Sequence, residues 1–258
     1  MGKRTLLLVM AVAGLTGPAT GGKGTCVTDL APITARGRML AASDVAARHA
    51  YAAIRGLNPP QGSISRSIAR NTDSGWVVAF GRLNEARDRF LVVYEATQQS
   101  SPESFSIKKN DPPAEDNGFY LFAARAIDKA QAAFNAEDRP YNVFVLPADS
   151  GQMYVYVEPA QTRKDSVPLG GDVRYLISAD GLTIVETRQM HKTVIEKGPP
   201  PPGGKLAAGF HTHVLTDTPE DSDVFYVLRQ PTPLPEFVGT SNKCTYKVDI
   251  DGSISLAK

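Results

Sequence analysis

Two histidines one residue apart, with a carboxylate ten positions further on, are the residues of this chain best placed to do chemistry. In residues 207–223 an apolar run ends in His211-Thr212-His213, and Asp217, Glu220, Asp221 and Asp223 follow. If the run is a strand, alternate side chains share a face. His211 and His213 then point the same way, at a spacing suited to two ligands of one ion. Asp223 is close enough in sequence to return as a third. Two imidazoles and a carboxylate with an open fourth position form the donor set of a catalytic zinc site. The chain has only four histidines in 258 residues, which makes a pair at this spacing less expected by chance. The competing reading is two exposed polar side chains ahead of a solvated acidic loop with a helix cap.

Positioning these groups requires a strand over residues 206–210 and a short helix over 222–228, broken by Pro231 to Pro235. Two final strands are expected over 237–239 and 246–250. Upstream, Leu121, Phe122, Ala126, Ile127, Ala130 and Phe134 recur at helical spacing and predict a helix over 119–134. Four strands follow, over 141–146, 153–157, 173–178 and 182–188, with Asp149-Ser150-Gly151 and Ala179-Asp180-Gly181 as tight turns. Pro199 to Pro202 form an extended loop before the histidine strand.

In the N-terminal half, residues 20–38 read as irregular. A helix is expected over 43–54, capped by Ser43 or Asp44, with His49 as a structural helix residue. Strands over 76–80 and 90–94 form a hairpin. Residues 97–118, rich in Ser, Pro, Asn and Asp, read as a long loop and a soft boundary. Each half opens with a helix and continues with hairpins, a weak echo of an internal repeat. The fold class is α+β.

The composition is that of a globular protein, with 42% hydrophobic and 21% charged residues and a formal net charge of +1. No overall field and no basic stripe point to nucleic acid. Lys3-Arg4, a short apolar run and then small residues resemble an export signal over 1–19. That run is too short to span a membrane convincingly, and no second run of spanning length follows, so no integral membrane segment is expected after signal removal. An exported chain with two cysteines, Cys26 and Cys244, predicts one disulfide. The expected location is periplasmic or extracellular.

The order of helix, meander, strand ending in His-x-His, acidic loop, short helix and strand resembles the JAB1/MPN metalloprotease-like fold, over roughly residues 119–258. Residues 20–110 form an N-terminal α+β region outside the resemblance. His211 and His213 match the family's two histidines. Asp223 matches its aspartate with a spacer one residue shorter, Glu220 falls where the family has a serine, and Val214 replaces the usual proline. The stretch Phe237-Val238-Gly239-Thr240, followed by Tyr246 and Asp251-Gly252, is similar to a secreted bacterial branch.

The resemblance implies zinc held by His211, His213 and Asp223, a glutamate on an earlier strand as general base, and a serine assisting the oxyanion. Glu158, Glu186 and Glu196 are the available carboxylates. Glu186, mid-strand between apolar neighbours, is the assigned base, and Ser222 is the nearest serine, shifted from the family position. His191 is either a fourth ligand, a group supporting a ligand, or an ordinary surface residue.

Three functions are in contention. One is an exported zinc hydrolase of peptide or isopeptide bonds. Another is a non-catalytic relative that binds a peptide or protein partner. The third is a plain envelope protein whose histidine pair lies on the surface. The first two require His211, His213 and Asp223 to meet.

Overall fold

A computed structural model describes residues 25–197 and 205–257. The segment expected to be an export signal, residues 1–19, and the four prolines at 199–202 lie outside the described residues. The chain is α+β throughout. Helix α1 (Ala31–Arg55) leads into an antiparallel meander of β1 (Arg66–Thr72), β2 (Gly75–Leu83), β3 (Phe90–Gln98) and β4 (Phe105–Asp116). Helix α2 (Phe119–Ala133) leads into a second meander, in which β5 (Tyr141–Pro147), β6 (Met153–Pro159), β8 (Val173–Ile177) and β9 (Ile184–Gln189) pair in that order. Between β6 and β8, β7 (Pro168–Gly170) pairs with the later β10 (Val194–Glu196). A third sheet orders β11 (Gly209–Thr212), β12 (Glu236–Gly239), β13 (Thr245–Val248) and β14 (Ile254–Leu256). Strands β11 and β12 are parallel, and α3 (Asp221–Arg229) makes the crossover between them.

Helix α1 starts at Ala31, so residues 31–38 are helical rather than irregular, and Ser43 and Asp44 lie buried within the helix instead of capping it. Pro32 sits in the first turn, where its missing N–H leaves no helical hydrogen bond unmade. The buried side of α1 includes Gly37, Ser43 and Asp44 besides Leu40, Ala46, Ala50 and Ile54. That mixture conceals its apolar periodicity. A Cβ on Gly37 would stand 2.5 Å from the Asp221 carbonyl and from Val224 Cβ, so glycine is what lets α1 approach α3 so closely. His49 is a half-buried residue on α1, outside the histidine cluster described below.

Residues 105–116 also depart from expectation, because the loop-like composition there forms β4. This is a mostly exposed edge strand paired only with β3. Pro112 and Pro113 are tolerated because an edge strand has one side free of ladder bonds.

Helix α2 covers one face of both meanders. Leu121, Ala124 and Ile127 pack in one core with Ile68, Ala79 and Val92 of the first sheet and Val145, Val155 and Tyr175 of the second. Helix α1 covers the opposite face. Its Leu40 packs with Phe144, Tyr156 and Met190, and its Ala46, Ala50 and Ile54 pack with Val78, Phe80 and Val93. Each fully buried large apolar side chain contributes roughly 1.5–3 kcal/mol over its exposed state. The Cys26–Cys244 disulfide joins the arm ahead of α1 to the β12–β13 turn, and the Val27 N–H donates to Tyr246 Oη at 3.0 Å. Among the described residues no helix is long and apolar enough to cross a membrane.

Candidate metal centre

Strand β11 delivers two of the cluster's side chains. Along it His211 and His213 are buried, while Phe210, Thr212 and Val214 are exposed, as strand alternation requires. The parallel pairing of His211 with Val238, and the His213 N–H donating to the Gly239 carbonyl at 2.8 Å, fix the strand against β12. Helix α3 delivers the third side chain. Asp223 lies in its first turn, where Oδ2 accepts the Glu220 N–H at 2.7 Å. The fourth side chain, His191, follows directly on β9 and its buried neighbour Met190.

The ligand atoms of His191, His211, His213 and Asp223 all lie within 4.8 Å of one another. His213 Nε2 is 2.8 Å from His191 Nε2 and 3.1 Å from His211 Nε2. Asp223 Oδ1 is 3.2 Å from His191 Nε2 and 3.0 Å from His211 Nε2, and Asp223 Oδ2 is 3.3 Å from His213 Nε2. Four donors about 2.0 Å from a tetrahedral ion would stand roughly 3.3 Å apart. The four side chains are between 0% and 7% exposed, so bulk water does not separate them.

Each imidazole has its other nitrogen committed. His191 Nδ1 donates to Asp172 Oδ1 at 2.7 Å, and His211 Nδ1 donates to Glu236 Oε1 at 2.9 Å. His213 Nδ1 lies 2.8 Å from the Thr218 carbonyl oxygen, which can only accept, so this nitrogen carries the proton. With all three Nδ1 atoms donating, the neutral rings aim bare Nε2 lone pairs at one another and at a carboxylate. Such an arrangement calls for a cation. Among the described residues Asp223 Oδ1 is buried with no directed hydrogen bond, which also suits a metal ligand. The residues therefore fit a metal ion, with Asp172, Glu236 and the Thr218 carbonyl fixing the ring orientations.

The electrostatics carry the same demand. Burial opposes charge on His191, yet Asp172 and Asp223 outweigh it and hold the imidazole well above the usual histidine range. Burial likewise opposes charge on His211, and Asp223 and Glu236 raise it overall. Burial alone would raise the Asp223 carboxyl, but His191 and His211 hold it well below the usual carboxylate range.

Glycine at 209 makes room for the Glu236 support. A Cβ there would stand 1.7 Å from Glu236 Oε2, inside the carboxylate that holds His211. Lys197 Nζ donates to the same Glu236 carboxylate.

Of the residues singled out from sequence, His211, His213, Asp223 and His191 are brought together. Ser222 is buried at the edge of the cluster, with Oγ 3.4 Å from His191 Nδ1 and 3.8 Å from Met190 Sδ. Glu186 is outside the cluster. Its side chain is 53% exposed on β9 and reaches Arg174 at 4.0 Å. Of the three glutamates weighed from sequence, the buried one is Glu158 on β6, whose Oε1 has no hydrogen-bond partner among the described residues. Burial and the nearby Asp172 push the Glu158 carboxyl well above the usual range, against His191 and Arg229. The supports Asp172 and Glu236 carried no spacing signal in the sequence, since each reaches its histidine only through strand pairing. Comparison with protein-family models, curated proteins and solved structures finds no match.

Proposed function

We propose that this is an exported protein on a JAB1/MPN-like fold, with zinc bound by His191, His211, His213 and Asp223, that acts by binding a peptide or protein partner rather than by hydrolysis. The convergence of three imidazole Nε2 atoms on one buried carboxylate carries the metal reading. His191 supplies the fourth donor, and a tetrahedral zinc site closed by four protein ligands is structural, whereas a catalytic site keeps a position for water. The imidazole and carboxylate donors suit zinc among the divalent metals. The disulfide supports an oxidising compartment.

A test is metal content by mass spectrometry, combined with X-ray absorption at the metal edge, on the purified mature chain and on His213→Ala. About one zinc per chain with four nitrogen or oxygen neighbours, lost in the variant, is expected. A chain without metal in both forms would overturn the reading.

One observation favours hydrolysis as a second reading. Glu158 is a buried carboxyl with an unpartnered oxygen, close enough to His191 for the two charges to interact. In that reading His191 would stand off the ion, the fourth position would go to a water that zinc would acidify, and Glu158 would take the proton-accepting role assigned from sequence to Glu186. Peptide cleavage by the zinc-loaded chain that disappears in Glu158→Gln and persists in Glu186→Gln would establish it.

A further inference from the structure

The two meanders form one layer with a seam in it. Helix α2 covers one face of both sheets and α1 crosses the other, so β1 and β5 lie side by side as the two inner edges. Their Cα atoms come within 8 Å, yet no ladder joins them, and the sheets end separately at β1 and at β5. A cavity of about 410 Å³ occupies the seam, lined on one wall by residues 65–69 and on the other by residues 141–145.

A sheet edge presents a row of main-chain donors and acceptors facing away from its partner strand. Here two such rows face one cavity. We propose that the seam is a binding site for an extended peptide, which enters as a strand and pairs its main chain with β1 and β5. This deepens the binding reading above by giving the partner's place and chemistry. A strand seated between two others needs their Cα lines roughly 10 Å apart, so the peptide parts the edges where they approach most closely. The seam can open without breaking a ladder, because none crosses it.

The walls set a pattern on the peptide. Ile68, Ile127 and Val145 form the α2 side of the cavity, and Asp44, Arg48 and Tyr51 of α1 form the other. Successive side chains of a strand point to opposite faces. The favoured peptide therefore alternates apolar residues toward α2 with polar residues toward α1.

The test is selection of a phage-displayed library of random octapeptides on the disulfide-bonded chain, with metal content measured in parallel. Enriched peptides are expected to alternate apolar and polar residues, and to slow amide hydrogen exchange within residues 65–69 and 141–145. N-methylation of their main chain is expected to weaken binding at least tenfold. Ala47→Trp and Ser67→Trp, which project bulk into the cavity, are expected to abolish binding while melting temperature and metal content stay at the wild-type level. No enrichment, exchange protection elsewhere, or unchanged affinity of the N-methylated peptides overturns the proposal. The exchange measurement decides on the wild-type chain even if both tryptophan variants misfold. Peptide binding that survives in a metal-free His211→Ala/His213→Ala variant separates the seam from the metal centre, and a wild-type chain that carries zinc but enriches no peptide overturns the seam alone.

Discussion

Asp221 and Asp223 sit two residues apart in the first turn of α3, both fully buried, and their surroundings are opposite in kind. Asp221 is saturated by the chain's own cations. It accepts from Arg36 of α1 at 3.0 Å, from Arg174 of β8 at 2.5 Å and from the Tyr156 hydroxyl at 2.9 Å. Asp223 faces three imidazoles that, when neutral, turn only lone pairs toward it. A buried carboxylate needs positive charge close by. The protein meets that need permanently at Asp221, which ties α1, β6, β8 and α3 together. At Asp223 it leaves the need to an ion or to protons. The first arrangement holds the helix so that the second can point into the histidines.

The largest effect is expected at Asp221. Asp221→Ala leaves two guanidinium groups near a buried cavity without their partner, and should destabilise the fold by about 3–5 kcal/mol. Urea unfolding of the metal-free forms measures this, and a loss below about 1 kcal/mol would break the contrast. Next comes metal removal. With free zinc about a thousandfold above its dissociation constant, a chelator should lower wild-type stability by about 4 kcal/mol. The same chelator should leave Asp223→Ala unmoved, and equal responses would mean that Asp223 is no ligand.

The supports come third. Asp172→Asn and Glu236→Gln should each weaken zinc binding roughly 10–100-fold through misoriented imidazoles. Competition against a chromophoric chelator reads this out, and unchanged affinity would reduce both carboxylates to packing roles.

The smallest effect is the pH dependence. In the metal-free chain His191 and His211 are held above the usual histidine value. Their contribution is full below about pH 6.5 and is lost as pH rises through the folded values. Asp223 is held low, so its contribution is present above about pH 3.9 and is lost as pH falls through its folded value. The metal-free chain should therefore be most stable between roughly pH 4 and 6.5. Zinc binds only the unprotonated rings, so its stabilisation should grow from pH 5 to pH 8. Melting curves with and without zinc test this, and a gap that narrows on the alkaline side would count against the cluster.

Strand patterns and turn residues placed α2 and most of the strands after it. The misreadings have physical causes. Strand β4 was hidden because an edge strand tolerates prolines and polar residues that an inner strand would not. The first part of α1 was hidden because its buried face includes glycine, serine and aspartate, chosen by contact with α3 and its partners rather than by hydrophobicity. Glu186 read as a base because its neighbours Val185 and Thr187 follow a strand pattern, yet both are exposed along with it.

What the sequence determined by itself was local. The two-residue period of a strand put His211 and His213 on one face, and the short connection to α3 brought Asp223 back to them. The cysteine pair, read with an expected export signal, implied the disulfide. Tertiary structure alone decided that His191 joins the site, that Asp172 and Glu236 hold its rings, and that Asp221 is neutralised while Asp223 is not. These groups are separated by roughly 20 to 185 positions along the chain. Their charges interact strongly only because folding removes them together from water, where screening would otherwise leave each nearly indifferent to the rest.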